Sequence, residues 1–364
     1  MIFIRFSLIV VYLFSAIWGD LMKRIRIALL GAAHDHSTAT LETVLRYPDI
    51  FEVVSITESN EEVRRTHSSL PAYQHLPWIS EEELFSRNDI DAVLCEGDEL
   101  LALDHVQRCI EKGWHVHMDK PAGTDAAQLE HVLSLAKQKS LVFQMGYMYR
   151  YNPAMQYLMQ QVKSGSLGDI LSIETSMSVC HLPDKREWLG RFQGGVMFFL
   201  GCHLIDMIYA LAGIPDSITS FFHSAEDSIP VQDNCLSIFD YGNGTATVRV
   251  NAAEVNGYDR RQLVVCGTEG TIEIRPLESP TRIYETRKAD AEYCPWKDFK
   301  HELHLVPMTG RYDAMMLDFA AYILGEKQNP YTYEYELQLQ RLILATCGYD
   351  IDYRKTIQLG GTDT

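Results

Sequence analysis

The stretch RIRIALLGAAHDHSTATLETVLR, residues 24–46, decides the fold. Its first seven residues are aliphatic apart from two arginines, the composition of a strand buried in a sheet. Gly31 breaks that run, and after HDH (34–36) a helical stretch continues to Arg46. A strand that feeds a helix through a glycine turn is the first unit of a doubly wound sheet, whose ligand crosses the carboxyl ends of the strands.

Working outward, FEVVSIT (51–57), IDAVLCE (90–96), WHVHM (114–118) and LVFQMG (141–146) read as further strands. ISEEELF (79–85), LLALDHVQRCIEKG (100–113) and AAQLEHVLSLAKQK (126–139) read as helices, with Ser80–Glu83 and Asp125–Gln128 as cap pairs. This alternation assigns residues 22–145 to a Rossmann domain with a parallel sheet covered on both faces. After Gly146 the pattern changes to a helix, Pro153–Lys163, a strand-like DILSIETSMSV, a loop holding Trp188, and the apolar GGVMFFLGCHLIDMIYALAG (194–213). DSITSFF, CLSIFDY, GTATVRVNAAEV, RQLVVCG and GTIEIRP follow with short links, the mark of an antiparallel or mixed sheet. The expected fold class is α/β: the Rossmann sheet, then an α+β domain (146–364) with a large, mostly antiparallel mixed sheet. Two final helical runs, 313–325 and 333–348, cover that sheet or return to the first domain.

The chain has 364 residues, 46% of them hydrophobic and 22% charged, enough for two cores. A formal net charge of -17, with no basic stripe, argues against a nucleic-acid partner and for a small polar one. The eight cysteines are scattered without a CxxC pair and read as buried free thiols, so the expected location is cytoplasmic. Residues 1–21, MIFIRFSLIVVYLFSAIWGDL, form an apolar run behind one arginine, and export or anchoring is the alternative to an upstream-extended start. Ile17 and Trp18 are bulky where a signal cleavage site needs small residues. Beyond Met22 no stable membrane association is expected.

The loop after the first strand keeps only the first glycine of a GxGxxG fingerprint. Ala33 adds a methyl where backbone approaches a diphosphate, and His36 fills the place needed for close packing while offering a donor to phosphate. Glu58 ends the second strand, where a carboxylate takes ribose hydroxyls and repels a 2′-phosphate, which favours NAD over NADP. Gly31 also suits a plain turn, and Glu58 a solvated acid. HDH (34–36) and HVH (115–117) invite a metal reading, yet no third ligand has a defensible spacing, and no metal is assigned.

GWHVHMDKPAG (113–123), GYMYRYNPAM (146–155), SGSLGDI, GGVMFFLGCHLIDMIYALAG and CGTEGTIEI, in that order, resemble the Gfo/Idh/MocA family from Lys23 onward. The resemblance implies an N-terminal Rossmann domain, a C-terminal domain with a large mixed sheet, and a homodimer or homotetramer. It sets Asp119, Lys120 and Pro121 on the family's EKP triplet beside the nicotinamide, with Lys120 binding substrate and tuning proton transfer. A lysine that follows a buried strand at the ligand edge can hydrogen-bond a substrate hydroxyl, although a solvated strand-end charge is the plain alternative. His203 matches the family's acid and base histidine, or else is a packed structural histidine. Phe199 stands where the family has aspartate and can only stack or exclude water. Asp206, three residues beyond His203, orients the imidazole or anchors a neighbouring segment.

A further departure is Gly97-Asp98-Glu99 in place of the family's TPxxxH, with two acids near a diphosphate crossing. Tyr147, Arg150, His181 and Trp188 are candidate substrate contacts, Arg150 also being suited to tying domains together and Trp188 to packing. The leading expectation is an NAD(P)-dependent oxidoreductase acting on a hydroxyl or carbonyl of a sugar, cyclitol or related polyol. An NAD-dependent glycoside-cleaving enzyme of the same fold and a non-catalytic sugar-sensing or scaffold protein remain open.

Overall fold

The computed structural model describes residues 24–291 and 300–359, so the apolar stretch 1–21 and Cys294 lie outside the described residues. Contacts divide the described chain into two units. One holds the residues up to Asp119 with Lys139–Gln144 and Met316–Asn329; the other holds the remainder.

The first unit is built on a five-strand sheet in the order β2-β1-β3-β4-β5. Its strands are β1 (Ile25–Leu30), β2 (Phe51–Thr57), β3 (Ala92–Cys95), β4 (His115–Met118) and β5 (Phe143–Met145). β1 pairs in parallel with β2 and β3, and β3 with β4. Ile27, Leu29, Val93 and Val116 are fully buried, as strands covered on both faces require. Helices α1 (Ser37–Leu45), α2 (Glu61–Ser68), α3 (Glu81–Ser86) and α4 (Ala102–Lys112) follow β1, β2 and β3. Ser80 Oγ accepts the Glu83 N–H at 3.1 Å and so caps α3. The sequence reading missed α2, because none of its residues is buried and no apolar stripe marks it; Asn60 Oδ1 caps it by accepting from Glu62 and Val63.

In the second unit α5 (Ala126–Gln138), capped by Asp125, packs along a late helix, α10 (Tyr333–Thr346), through Arg341 and Glu130 at 2.7 Å. By its contacts α5 groups with the second unit. Eight strands form the second sheet in the order β13-β12-β11-β10-β6-β9-β8-β7. β6 (Ile170–Ser178) lies parallel to β9 (Thr245–Asn251) and antiparallel to β10 (Gln262–Gly267). β7 (Ser217–His223), β8 (Asn234–Asp240), β11 (Gly270–Ile274), β12 (Ile283–Arg287) and β13 (His301–Leu303) extend it antiparallel. β12 and β13 had no expectation in the sequence, since both are short, β12 being mostly half-buried and β13 largely exposed.

After α6 (Pro153–Lys163), the expected loop around Trp188 is instead helix α7 (Pro183–Leu189), with Pro183 in its first turn. The stretch 194–213 forms a π-helical turn, Met197–Gly201, followed by α8 (Cys202–Ala212). Helix α9 (Asp313–Ile323) contributes Met316 and the residues after it to the first unit. Cys95, Cys109, Cys202, Cys235 and Cys347 are buried, whereas Cys180 is exposed and Cys266 half-buried, against the expectation that all are interior. Among the described residues no helix is long and apolar enough to cross a membrane.

Candidate active site

The strand order of the first sheet reverses between β1 and β3, so the loops after these two strands diverge and open a crevice at their carboxyl ends. Gly31, Ala33, Glu58, Asn60, Gly97, Asp98, Leu101 and His105 are among its lining residues, around a cavity of about 250 Å³. Gly31 has φ +83°, and a Cβ there would lie 2.3 Å from the Gly97 Cα. Both glycines therefore serve one close approach of two backbones.

Glu58 binds its own loop. Its Oε2 accepts the Ala32 N–H and its Oε1 the Asn60 N–H, each at 2.7 Å. Each carboxylate oxygen retains acceptor capacity for a ribose hydroxyl. The α1 N-terminus, with no acid in its first turn, presents backbone N–H groups suited to phosphate. The residues present thus fit the adenosine half of a dinucleotide, although no lysine or arginine is among the crevice lining residues.

Behind the glycine loop the unit collects imidazoles and acids. Asp119, at the end of β4, lies 3.1 Å from His36 Nδ1 and 3.4 Å from His34 Nδ1. Glu96 Oε2 is 3.6 Å from His34 Nδ1, and Glu99 Oε1 is 3.7 Å from His34 Nε2. Glu99 is buried, so it turns inward rather than to solvent or ribose, while Asp98 Oδ1 accepts the Leu100 N–H at 2.9 Å. Burial first, and then the neighbouring Asp119 charge, push the Glu96 carboxyl well above the usual glutamate range. His36 thus faces a carboxylate, a contact the sequence did not disclose. His115 is turned elsewhere, its Nδ1 accepting the Val142 N–H at 2.9 Å, so the two rings of HVH do not act together.

The second unit holds Lys120, Phe199 and His203. Lys120 is 1% exposed, and its Nζ donates to the Phe199 carbonyl at 3.0 Å while lying 4.2 Å from the centre of the Phe199 ring. Lys185 Nζ lies 4.7 Å from that same centre, and the Trp188 ring meets Phe199 edge-on at 5.1 Å. Phe199, at the position of the missing aspartate, thus answers two ammonium groups with its π face. Lys185 was missed because only the fold brings α7 beside residue 199. His203, 2% exposed, is four residues beyond Phe199 and packs edge-on against Tyr147 at 5.9 Å and Tyr149 at 5.2 Å. Among the described residues the buried Tyr147 hydroxyl has no hydrogen-bond partner, and burial raises it well above the usual tyrosine range.

Other candidates have different work. Arg150 binds Asp206 at 2.8 Å and Glu336 at 2.5 Å, all three nearly inaccessible and all in the second unit. The triad locks β5's following turn, α8 and α10, so these groups do not present a substrate surface, and Asp206 orients Arg150 rather than His203. Arg186 bonds Asp233 and Glu226. His181 is half-buried beyond β6, where its N–H donates to the Ala252 carbonyl at 2.7 Å.

A parallel sheet with a glycine-lined crevice at its switch point, and a second unit that has a mixed sheet and holds a buried lysine and histidine, define a two-domain dinucleotide-binding protein. Residues 25–147 match the oxidoreductase family with an NAD-binding Rossmann fold, and residues 155–273 match the GFO/IDH/MocA C-terminal domain. The chain belongs to the Gfo/Idh/MocA oxidoreductases. It is 24% identical over 248 residues to the uncharacterized oxidoreductase YhhX of Escherichia coli K12, covering 68% of this chain and 70% of that one. It is 25% identical over 198 residues to the scyllo-inositol 2-dehydrogenase (NADP(+)) IolW of Bacillus subtilis 168, covering 53% of this chain and 54% of IolW. The structure of KijD10, a 3-ketoreductase from Actinomadura kijaniata with NADP and TDP-benzene, shares the fold at TM-score 0.74 and 18% identity, over 89% of this chain and 97% of KijD10.

Proposed function

We propose that this protein is an NAD-dependent oxidoreductase that interconverts a hydroxyl and a carbonyl on a sugar, cyclitol or related polyol. The observation that carries the reading is the buried Lys120, anchored on the Phe199 carbonyl one turn before His203, beside an unsatisfied Tyr147 hydroxyl. π-Helical turns frequently occur at functional sites, and this one directly precedes His203. Glu58 supports NAD over NADP, since a second anion at the 2′ position would meet its carboxylate. IolW and KijD10 are named with NADP, which makes the choice of cofactor the finer part of this reading.

Gly31, Ala33, Glu58 and Gly97 hold the dinucleotide, with the α1 N–H groups toward its diphosphate. A bound nicotinamide would supply hydride transfer to or from the carbinol carbon. The His203 imidazole takes up the hydroxyl proton, and the Lys120 ammonium hydrogen-bonds the same oxygen and stabilises its alkoxide character. Tyr147 offers a further donor to a substrate oxygen. The family resemblance supports association into a homodimer or homotetramer, and the buried thiols support a reducing, cytoplasmic setting.

The test is titration with NAD and NADP followed by a panel of sugars and polyols. Saturable NAD binding with substrate-dependent change in nicotinamide absorbance is expected. No binding of either dinucleotide to protein freed of retained cofactor would reject the reading, and release of an aglycone without net absorbance change would favour glycoside cleavage.

A further inference from the structure

The pairing of β3 with β4 sets Cys95 beside Met118, so Glu96 and Asp119, each one residue further on, leave the sheet side by side. His117 precedes Asp119 by two residues in the strand direction, which turns both toward one face. Three donor side chains therefore converge below the glycine loop, from positions 21 residues apart or more in the case of Glu96. Their ligand atoms all lie within 4.8 Å of one another.

The buried polar atoms here are not satisfied by hydrogen bonds among the described residues. His117 Nδ1 lies 2.9 Å from the Gln144 side-chain oxygen, which makes Nδ1 the protonated nitrogen and leaves a lone pair on Nε2. That Nε2 is 3.9 Å from Glu96 Oε1 and makes no hydrogen bond among the described residues. Glu96 is 0% exposed, and neither of its oxygens receives a hydrogen bond of ordinary geometry, although Thr40 and Asp119 lie close enough to influence it. With the Glu96 carboxyl held neutral by burial, its oxygens and the His117 Nε2 lone pair stay buried without a hydrogen bond of ordinary geometry among the described residues, and each such polar group is costly. A cation between them removes both penalties.

We propose that Glu96, His117 and Asp119 bind a divalent transition-metal ion, with His34 and His36 as flanking imidazoles on the Asp119 side. Two ligands of a tetrahedral zinc-sized ion stand about 3.3 Å apart for bonds near 2.0–2.1 Å. The Glu96–His117 distance of 3.9 Å needs only a small contraction to reach that value. Mixed imidazole and carboxylate donors without sulfur suit zinc, manganese, iron(II), cobalt and nickel. Gln144 supplies the outer hydrogen bond that commonly fixes a ligating histidine. The ion offsets the charge of Asp119 and Glu96 next to the helix terminus that phosphate would approach. The proposal stands on these side chains and does not depend on dinucleotide binding or turnover.

The test uses the full chain, stripped with chelator and dialysed against Zn²⁺ or Co²⁺, with bound metal measured by elemental analysis. About one equivalent per chain is expected, with Glu96→Gln and His117→Gln each weakening the affinity by roughly tenfold or more. A surface control, His75→Gln, should leave binding unchanged. Metal binding absent from the wild type, or equally tight in both site variants, overturns the proposal. Should the variants fail to fold, X-ray absorption of the zinc-loaded wild type decides: a nitrogen and oxygen shell with imidazole scattering supports the site, and a sulfur-dominated shell rejects it. Dinucleotide binding, followed separately by fluorescence, reports on the proposed oxidoreductase function and not on this ion.

Discussion

Lys120 Nζ donates a 3.0 Å hydrogen bond to the carbonyl of Phe199, which joins the second residue after β4 to the π-helical turn that leads into His203. A lysine so placed has its ammonium group fixed in position by a backbone carbonyl. Lys120→Met and His203→Ala are therefore expected to lower kcat by about 10²–10⁴-fold while changing dinucleotide Kd by less than about threefold. Steady-state kinetics beside a fluorescence titration provide the measurement, and undiminished turnover in both variants rejects the assigned roles.

Cofactor choice should follow Glu58. Replacing it by glutamine keeps an acceptor for one backbone N–H and removes the charge that opposes a 2′-phosphate. Glu58→Gln is expected to shift the NAD-to-NADP preference toward NADP by about tenfold, a change of roughly 1.4 kcal/mol. The ratio of the two dissociation constants reports it, and an unchanged ratio would show that the carboxylate does not face the ribose.

Gly31 tests the switch point of the first sheet. An alanine methyl would meet the Gly97 Cα at 2.3 Å in a backbone already at φ +83°. Gly31→Ala should cost roughly 1–3 kcal/mol of stability and weaken dinucleotide binding, because the loop after β3 must move to admit the methyl. Urea melts and the same titration would detect both effects.

Arg150 balances two buried carboxylates, Asp206 and Glu336. Arg150→Met leaves both without their cation and is expected to destabilise the fold by about 3–5 kcal/mol. The triple change Arg150→Met, Asp206→Asn, Glu336→Gln should recover part of that loss in a thermal melt. Equal melting temperatures for the single and triple variants would contradict the charge argument.

Acid stability has a separate source in Glu278, which takes the Tyr149 hydroxyl and lies against Arg261 and Arg311. Burial works to raise its carboxyl, but Arg311, Tyr149 and Arg261 outweigh burial and hold it below the usual glutamate range. A carboxyl lowered in the folded state contributes stability that is full above the unfolded value near about 4.3 and is lost as pH falls toward the folded value. Denaturant melts should show the wild type losing stability more steeply than Glu278→Gln as pH drops from about 5 to 3. Parallel pH dependences would remove Glu278 from this account.

Local patterns carried much of the architecture. The strand at 25–30, the helix at 153–163 and the caps at Ser80 and Asp125 each follow from a short run of side chains. Helix α2 escaped notice because it buries nothing, and α7 because seven residues are too few to show a helical period. Lys120, Phe199 and His203 were legible as positions, but the cation–π contacts that occupy the absent aspartate's place were not. Glu96, His117 and Asp119 were illegible as a group, since strand pairing rather than spacing brings them together. For Arg150 and Asp206 the sequence left a ligand contact and a structural tie both open; Glu336, from a distant helix, completes an ion triad that makes them a structural tie.

The parallel seam between β6 and β9 bears on how the protein reaches its working state. Parallel neighbours cannot be joined by a tight turn, and here the intervening chain carries α7, the π-helical turn, α8, β7 and β8. Closing that seam costs loop entropy before its hydrogen bonds form, which places it among the slow steps of folding. His203 lies within the enclosed segment, so secondary structure is expected to return before activity when the chain refolds.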